Sequence, residues 1–295
     1  MTPTTADLRQ EPESAHDGGG PRVLFFAPRV CWPLDTGAKL RNYHLARETA
    51  RRGAVTFLSF ADEGEGAGAR GGGPEDFGGH VVTVPRERGY TPSKILRGAL
   101  GRTPLPVLNY TTRAMAEALG RTLAREDFDV VQLESIHMAA YLPVIREARS
   151  RPSVVCDWHN VESELMRRYS EREPSLPRRL YARRTAGQLA ALERRMLREF
   201  DAHVTVSERD RAQLLAAEPG ARVFVVENGV DTAFYSDEQL ARAHRAWLEG
   251  GRAAGAKPAG SGEVARSPDA RRERVIFVGS MDYHANVEAV LYFGK

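Results

Sequence analysis

Ser153-Val-Val-Cys-Asp-Trp-His-Asn-Val-Glu-Ser163 sets a short apolar run directly against a cluster of polar and ionisable side chains. The first half reads as a buried parallel strand, because Val154, Val155 and Cys156 are apolar without alternation and Pro152 punctuates the start. The second half opens a helix, with Asn160 as its N-cap and Ser163 and Glu164 in its first turn. His159 therefore falls in the gap between strand and helix. In open α/β sheets that gap, at the carboxyl end of a parallel strand, is where ligands bind. His159 is accordingly the first candidate for a chemical centre, with Asp157, Asn160 and Glu162 beside it.

Working outward, the same alternation recurs on both sides. Upstream, strands are expected over residues 22–27, 54–60, 80–84 and 128–133, and helices over 37–52, 111–126 and 137–149. In the first helix Leu40, Tyr43, Ala46 and Ala50 recur at helical spacing, and Gly53 closes it as a C-cap residue. Residues 90–110, with Pro92, Pro104 and Pro106, read as irregular or broken helix. Downstream come a long helix over 175–200, a strand over 203–206, a helix over 208–217 capped by Ser207, and a strand over 222–226. This pattern predicts an α/β, Rossmann-like doubly wound parallel sheet with helices on both faces.

Two stretches interrupt it. Residues 62–79 are nearly all Gly, Ala, Glu and Asp and read as a mobile surface loop, and residues 248–272 have the Gly, Ala, Arg, Pro and Ser composition of a linker. After the linker a strand over 274–278, the turn Gly279-Ser280-Met281-Asp282 and a helix over 285–293 end the sequence. One strand and one helix cannot bury a core by themselves. The expected organisation is a disordered leader over 1–21, an N-terminal domain over 22–235, a helix and flexible linker over 236–273, and the start of a truncated second domain over 274–295.

Composition narrows the class. With 42% hydrophobic residues the 295-residue chain can build a real core, and a net charge of +3 gives no reason to expect nucleic acid as a partner. Cys31 and Cys156 lack metal-ligand spacing and suit a reducing compartment. The first 21 residues carry neither the apolar core of a signal peptide nor an Arg-rich amphipathic pattern, and no apolar run reaches the length of a membrane span. The expectation is a cytoplasmic protein, peripheral at the inner membrane if it meets a membrane at all.

Three groups of residues invite chemistry. The loop Asp35-Thr-Gly-Ala-Lys-Leu-Arg41 enters a helix whose free N–H groups and macrodipole attract anions. Lys39 and Arg41 stand where that dipole disfavours cations, which a visiting anion at Gly37 makes easier to understand; the other reading is a helix start with solvated basic residues. The second group is His159, an acid-base or hydrogen-bonding candidate whose alternative is a structural histidine at a strand end. Joined with Glu134 and His137 it suggests a metal, but without ligand spacing that supports one. The third is the run of Arg178, Arg179, Arg183, Arg184, Arg194, Arg195 and Arg198. It reads first as a solvated face, and otherwise as a face for an acidic membrane surface or a phosphorylated substrate.

The order of these pieces resembles the family-4 retaining glycosyltransferases of the GT-B fold, in which two Rossmann-like domains face each other across a cleft. The resemblance is carried by Arg22-Val-Leu-Phe-Phe-Ala-Pro with Asp-Thr-Gly-Ala-Lys-Leu-Arg-Asn-Tyr-His, by Asp-Trp-His-Asn-Val-Glu-Ser, by Val-Thr-Val-Ser-Glu-Arg-Asp, and by Val-Val-Glu-Asn-Gly-Val-Asp-Thr-Ala-Phe before Phe-Val-Gly-Ser-Met-Asp-Tyr. Within that family the chain is similar to bacterial sugar transferases associated with exopolysaccharide export. The resemblance implies transfer of a sugar from a nucleotide-diphosphate donor to a glycan or lipid-linked acceptor with retention, without a further cofactor or metal. It implies that Gly37 lies near the donor phosphates and His159 near the transferring sugar. It also places Asn228 in a segment leading to the interdomain crossover, and Gly279, followed by Ser280, beside the diphosphate. Lys39, Arg41, Glu134, Asn160 and Glu162 complete the expected binding set. The sequence departs from the family in lacking, after Lys295, the basic pair and the spaced glutamates of the donor domain, so impaired transfer is expected of the chain as it stands. The competing expectation is a noncatalytic glycan-binding or regulatory half. A hydride-transferring enzyme is disfavoured, because no Gly-x-Gly-x-x-Gly follows the first strand.

Overall fold

The computed structural model describes residues 19–62, 79–86, 90–232, 236, 238, 241, 242, 245 and 284–293. The expected leader up to residue 18, most of the 62–79 loop, the 248–272 linker, the 274–278 strand and the turn containing Gly279 and Ser280 lie outside the described residues. The chain divides into two compact units, Met1–Gly229 and Val230–Lys295. The described helix of the second is α9, His284–Phe293.

The first unit is built on seven parallel strands: β1 Arg22–Ala27, β2 Ala54–Ala61, β3 His80–Pro85, β4 Val130–Glu134, β5 Ser153–Trp158, β6 Ala202–Thr205 and β7 Val223–Val225. They lie in the order β3-β2-β1-β4-β5-β6-β7. The central strands are apolar on both faces because helices cover both. In β1, Leu24 and Phe26 pack on one side with Leu58, Phe60, Leu119 and Tyr141, whereas Val23, Phe25 and Ala27 pack on the other with Phe57, Tyr43 and Ala46. This is the two-residue alternation of a strand.

Helix α1, Gly37–Ala50, links β1 to β2 on one side, and the chain then returns to place β4 on the other side of β1. The carboxyl ends of β1 and β4 are therefore a topological switch point, where the sheet opens a crevice. The path onward runs through α2 Pro92–Leu100, α3 Leu105–Asn109, α4 Arg113–Arg125, a 3-10 turn Ile136–Tyr141, α5 Leu142–Arg146, α6 Glu162–Arg172, α7 Leu176–Glu199 and α8 Glu208–Ala217.

Several local expectations are corrected. Gly53 is not a left-handed cap: α1 ends at Ala50 with Arg51 in the cap position, and an added Cβ at Gly53 would lie 2.1 Å from the Pro21 carbonyl oxygen. The residue is needed because two chain segments cross there, with Ala54 N–H donating to that same oxygen. The buried face of α1 includes Lys39, Arg41 and Asn42 with Tyr43 and Ala46, while Leu40 is exposed. The helix expected over 137–149 is a 3-10 turn followed by the short α5, with Pro143 in its first turn. Asn160 is exposed and does not cap α6. The cap position is Val161, which makes no side-chain capping bond. The Glu193 carboxylate, reaching from α7, accepts from Ser163 N–H at 2.9 Å and from Ser163 Oγ, supplying the anion that a helix N-terminus favours.

Candidate active site

The polar cluster begins with backbone geometry. β4 and β5 pair in register so that Glu134 stands opposite Asp157 at the carboxyl ends of the two strands, and both side chains are fully buried. Directly after Glu134, Ser135 adopts φ 108°, and its N–H reaches the Asp157 carbonyl at 3.2 Å. Such a backbone is rare for a residue with a side chain and is found where surrounding contacts impose it.

Two buried carboxylates side by side require compensation. Arg41 provides it. Its Nε donates to Asp157 Oδ2 at 2.8 Å and its Nη2 to Asp157 Oδ1 at 3.2 Å, while Nη1 donates to Asn228 Oδ1 at 2.9 Å. Glu134 is satisfied differently: Gln132 Nε2 donates to Oε1 at 2.7 Å, and His159 Nε2 lies 3.1 Å from Oε2. With its amide nitrogen turned toward these acceptors, Asn42 also donates to Glu134 Oε2 at 2.8 Å and to the Ala38 carbonyl at 3.0 Å.

His159 is thereby oriented. With Nε2–H donating to Glu134, Nδ1 is the ring nitrogen left for a ligand, and the side chain is partly open to solvent. Burial acts to lower the imidazole pKa, but the Glu134 hydrogen bond and the charges of Glu134 and Asp157 outweigh it and raise the pKa above its ordinary value. Burial and the charge of Glu134 push Asp157 upward against the opposing Arg41. Glu162, in the first turn of α6, is pushed up to about 7 by burial and by the charge of Glu193.

The expected site residues thus separate. His159, Glu134, Arg41 and Asn228 belong to one hydrogen-bonded assembly, and Glu162 contributes to its electrostatics. Asn160 is exposed and makes none of these bonds. Lys39 pairs with Asp35 at 3.2 Å, and its backbone N–H donates to the Thr36 hydroxyl. The cations at the start of α1 are explained by the protein's own anions, Asp35 and Asp157. Gly37 is the first residue of α1 and faces open space, with no atom within 4 Å of an added Cβ. His137 turns to the Ser135 hydroxyl at 2.7 Å, and burial lowers its pKa to about 4, so it is neutral at physiological pH.

For a metal, Glu134, Asp157 and His159 bring ligand atoms within 4.8 Å of one another. Both Asp157 oxygens are already engaged by Arg41, however, and a cation there would meet the guanidinium. The donor set fits an ion pair better than a metal site. Sequence reasoning missed Asn42, Gln132 and Glu193. The spacing of Lys39, Asn42 and Ala46 at i, i+3 and i+7 in α1 was the available signal, since it puts polar residues on an otherwise inward stripe.

A model of Glycosyltransferase Family 4 matches residues 36–234. Among curated proteins none matches the chain. Similar solved structures include a sucrose-phosphate synthase from Thermosynechococcus elongatus, at 11% identity and a TM-score of 0.39 over 80% of this chain and 99% of that one. Arabidopsis thaliana UGT89C1 complexed with UDP is 16% identical, with a TM-score of 0.39 over 78% of this chain and 56% of the other. An alpha,alpha-trehalose-phosphate synthase (UDP-forming) from Burkholderia vietnamiensis is 15% identical, with a TM-score of 0.37 over 80% and 56%. The chain thus spans about half the length of the last two.

Proposed function

The chain belongs to glycosyltransferase family 4, and from that membership and the site geometry we propose that it transfers a sugar from a nucleotide-diphosphate donor to a glycan or lipid-linked acceptor, with retention. The observation that carries this reading is His159, held through Nε2 by the buried Glu134 at the strand tips, with Nδ1 left for a ligand. A fixed imidazole of raised pKa can donate from Nδ1 to a sugar hydroxyl and hold the reacting carbon in place while its bond to the diphosphate breaks. The leaving diphosphate takes the electron pair and needs N–H donors around it. Helix α1 offers these at its start, where the first-turn N–H groups of Gly37 and Ala38 have no helical partner and Gly37 leaves the approach open. Arg41 and Asp157 do not contact substrate in this scheme. They fix α1 against β5 and, through Asn228, hold the segment after β7. Exopolysaccharide or cell-envelope glycan synthesis is the setting proposed from the sequence resemblance.

The test is mass-detected turnover of common nucleotide sugars by the full chain and by His159→Ala. The reading expects whatever transfer the parent chain supports to fall by about 10²-fold or more in kcat in the variant, at unchanged circular dichroism. Equal turnover by both proteins refutes the role of His159. Calorimetric binding of oligosaccharide with no donor consumed supports a glycan-binding module instead.

A further inference from the structure

Helix α2 turns its apolar face away from the protein. The buried residue of this helix is Gly98, where an added Cβ would come within 2.9 Å of Leu105 Cβ. Gln188 Nε2 on α7 donates to the carbonyls of Gly98 and Gly101 at 2.9 Å each, and Arg184 Nη2 donates to Gly101 at 3.1 Å. A helix resting on its glycine leaves Ile95 48%, Leu96 59% and Leu100 76% exposed. On the adjoining turns of α7, Leu180 is 55% exposed and Tyr181 45%. A surface helix ordinarily buries this stripe, and a contiguous exposed apolar patch marks an interaction surface.

Charge identifies what the surface fits. Neither residues 90–116 nor residues 174–192 contain an Asp or Glu, whereas they carry Lys94, Arg97 and Arg102 on one side and Arg183 and Arg184 on the other. Among the described residues Arg97, Arg102, Arg183 and Arg184 form no ion pair. A groove of about 410 Å³ is lined by Leu96, Leu100 and Leu108 together with Arg97 and Arg102, so apolar and cationic groups share one opening. A second copy of this face would set cations against cations. Anionic lipid headgroups would neutralise them while the leucines enter the acyl boundary, as interfacial amphipathic helices do.

We propose that α2 and the adjoining turns of α7 dock the protein on an anionic membrane surface, with Leu96 and Leu100 entering the lipid and Arg97, Arg102, Arg183 and Arg184 meeting headgroup phosphates. No helix among the described residues is long and apolar enough to cross a membrane. The docking does not depend on the assignment of His159, because its test reads binding and not turnover.

The test is flotation of the full chain with vesicles of phosphatidylcholine containing about a quarter phosphatidylglycerol, against phosphatidylcholine alone. Binding is expected only to the anionic vesicles. Each Lys or Arg near such a surface strengthens binding about fivefold, so Arg97→Gln with Arg102→Gln should weaken it about 25-fold. Leu96→Ser with Leu100→Ser should weaken it at least tenfold. All four side chains are exposed, so unfolding midpoints should stay at the parent value and separate lost docking from lost folding. Absent binding, equal binding to both vesicle types, or undiminished binding by the leucine variant overturns the proposal. So does a dimer that dissolves on Leu96→Ser with Leu100→Ser while the parent ignores vesicles, which would assign the face to a second copy.

Discussion

Replacing Glu162 by Gln should stabilise this protein, and only above a definite pH. In the fold the Glu162 carboxyl is pushed from 4.5 up to about 7, first by burial and then by the neighbouring Glu193 charge, with His159 opposing. A carboxyl whose folded pKa exceeds its unfolded value contributes stability fully present below about pH 4.5 and lost as pH rises through about 7. The full shift corresponds to about 3 kcal/mol, and since Glu162 is only half-buried, solvent screening reduces the usable difference to about 1–2 kcal/mol. The amide keeps the shape of the neutral acid and cannot ionise. Urea unfolding followed by circular dichroism should therefore give coincident curves for parent and Glu162→Gln below about pH 4.5. The variant should gain across the interval to pH 7 and hold about 1–2 kcal/mol of advantage from about pH 8 upward. A gap that does not vary with pH, or a parent more stable than the variant near pH 8, would refute the electrostatic account of this corner of the site.

Other substitutions test the rest of the frame. Arg41→Met leaves the Asp157 carboxylate buried without its partner and should cost about 3–5 kcal/mol in unfolding free energy. Adding Asp157→Asn should recover part of that loss, and a double-mutant cycle without coupling would contradict the pairing. Gly53→Ala forces a Cβ to within 2.1 Å of the Pro21 carbonyl oxygen and should cost about 2 kcal/mol or more, seen as a lowered thermal midpoint. Gly187→Ala, on an exposed helical turn with no atom within 4 Å of the added Cβ, should instead gain about 0.5–1 kcal/mol.

The sheet was readable in advance because strands covered on both faces show themselves as apolar runs, unbroken over Val23–Ala27 in β1 and interrupted only by the buried Thr56 and Ser59 in β2, and because the helices between them keep their own period. His159 was readable for the same reason, since a histidine directly after such a run must lie at a strand tip. What surrounds it was not. Arg41 and Asp157 are 116 residues apart, and only the parallel register of the sheet brings α1 over the end of β5. The partner of the helix-start cation Arg41, Asp157, could not be assigned from the sequence for that reason. The expected Asn160 cap failed for a related reason: the orphan N–H groups of α6 are met by Glu193 from α7, a tertiary solution that local capping preference does not register. The inverted face of α2 also escaped notice, because the spacing of Ile95, Leu96 and Leu100 shows that a helix is amphipathic but not which side meets the core.

The central claim is that Glu134 fixes and charges His159 and leaves Nδ1 for the substrate. Nuclear magnetic resonance titration of the His159 ring nitrogens, in the parent chain and in Glu134→Gln, addresses it directly. The account predicts an imidazole that titrates above 6.5 in the parent, carries its proton on Nε2 when neutral, and falls to a lower pKa in the variant, where burial acts without the opposing carboxylate. A parent imidazole that titrates below 6.5, and does not move on Glu134→Gln, would contradict it.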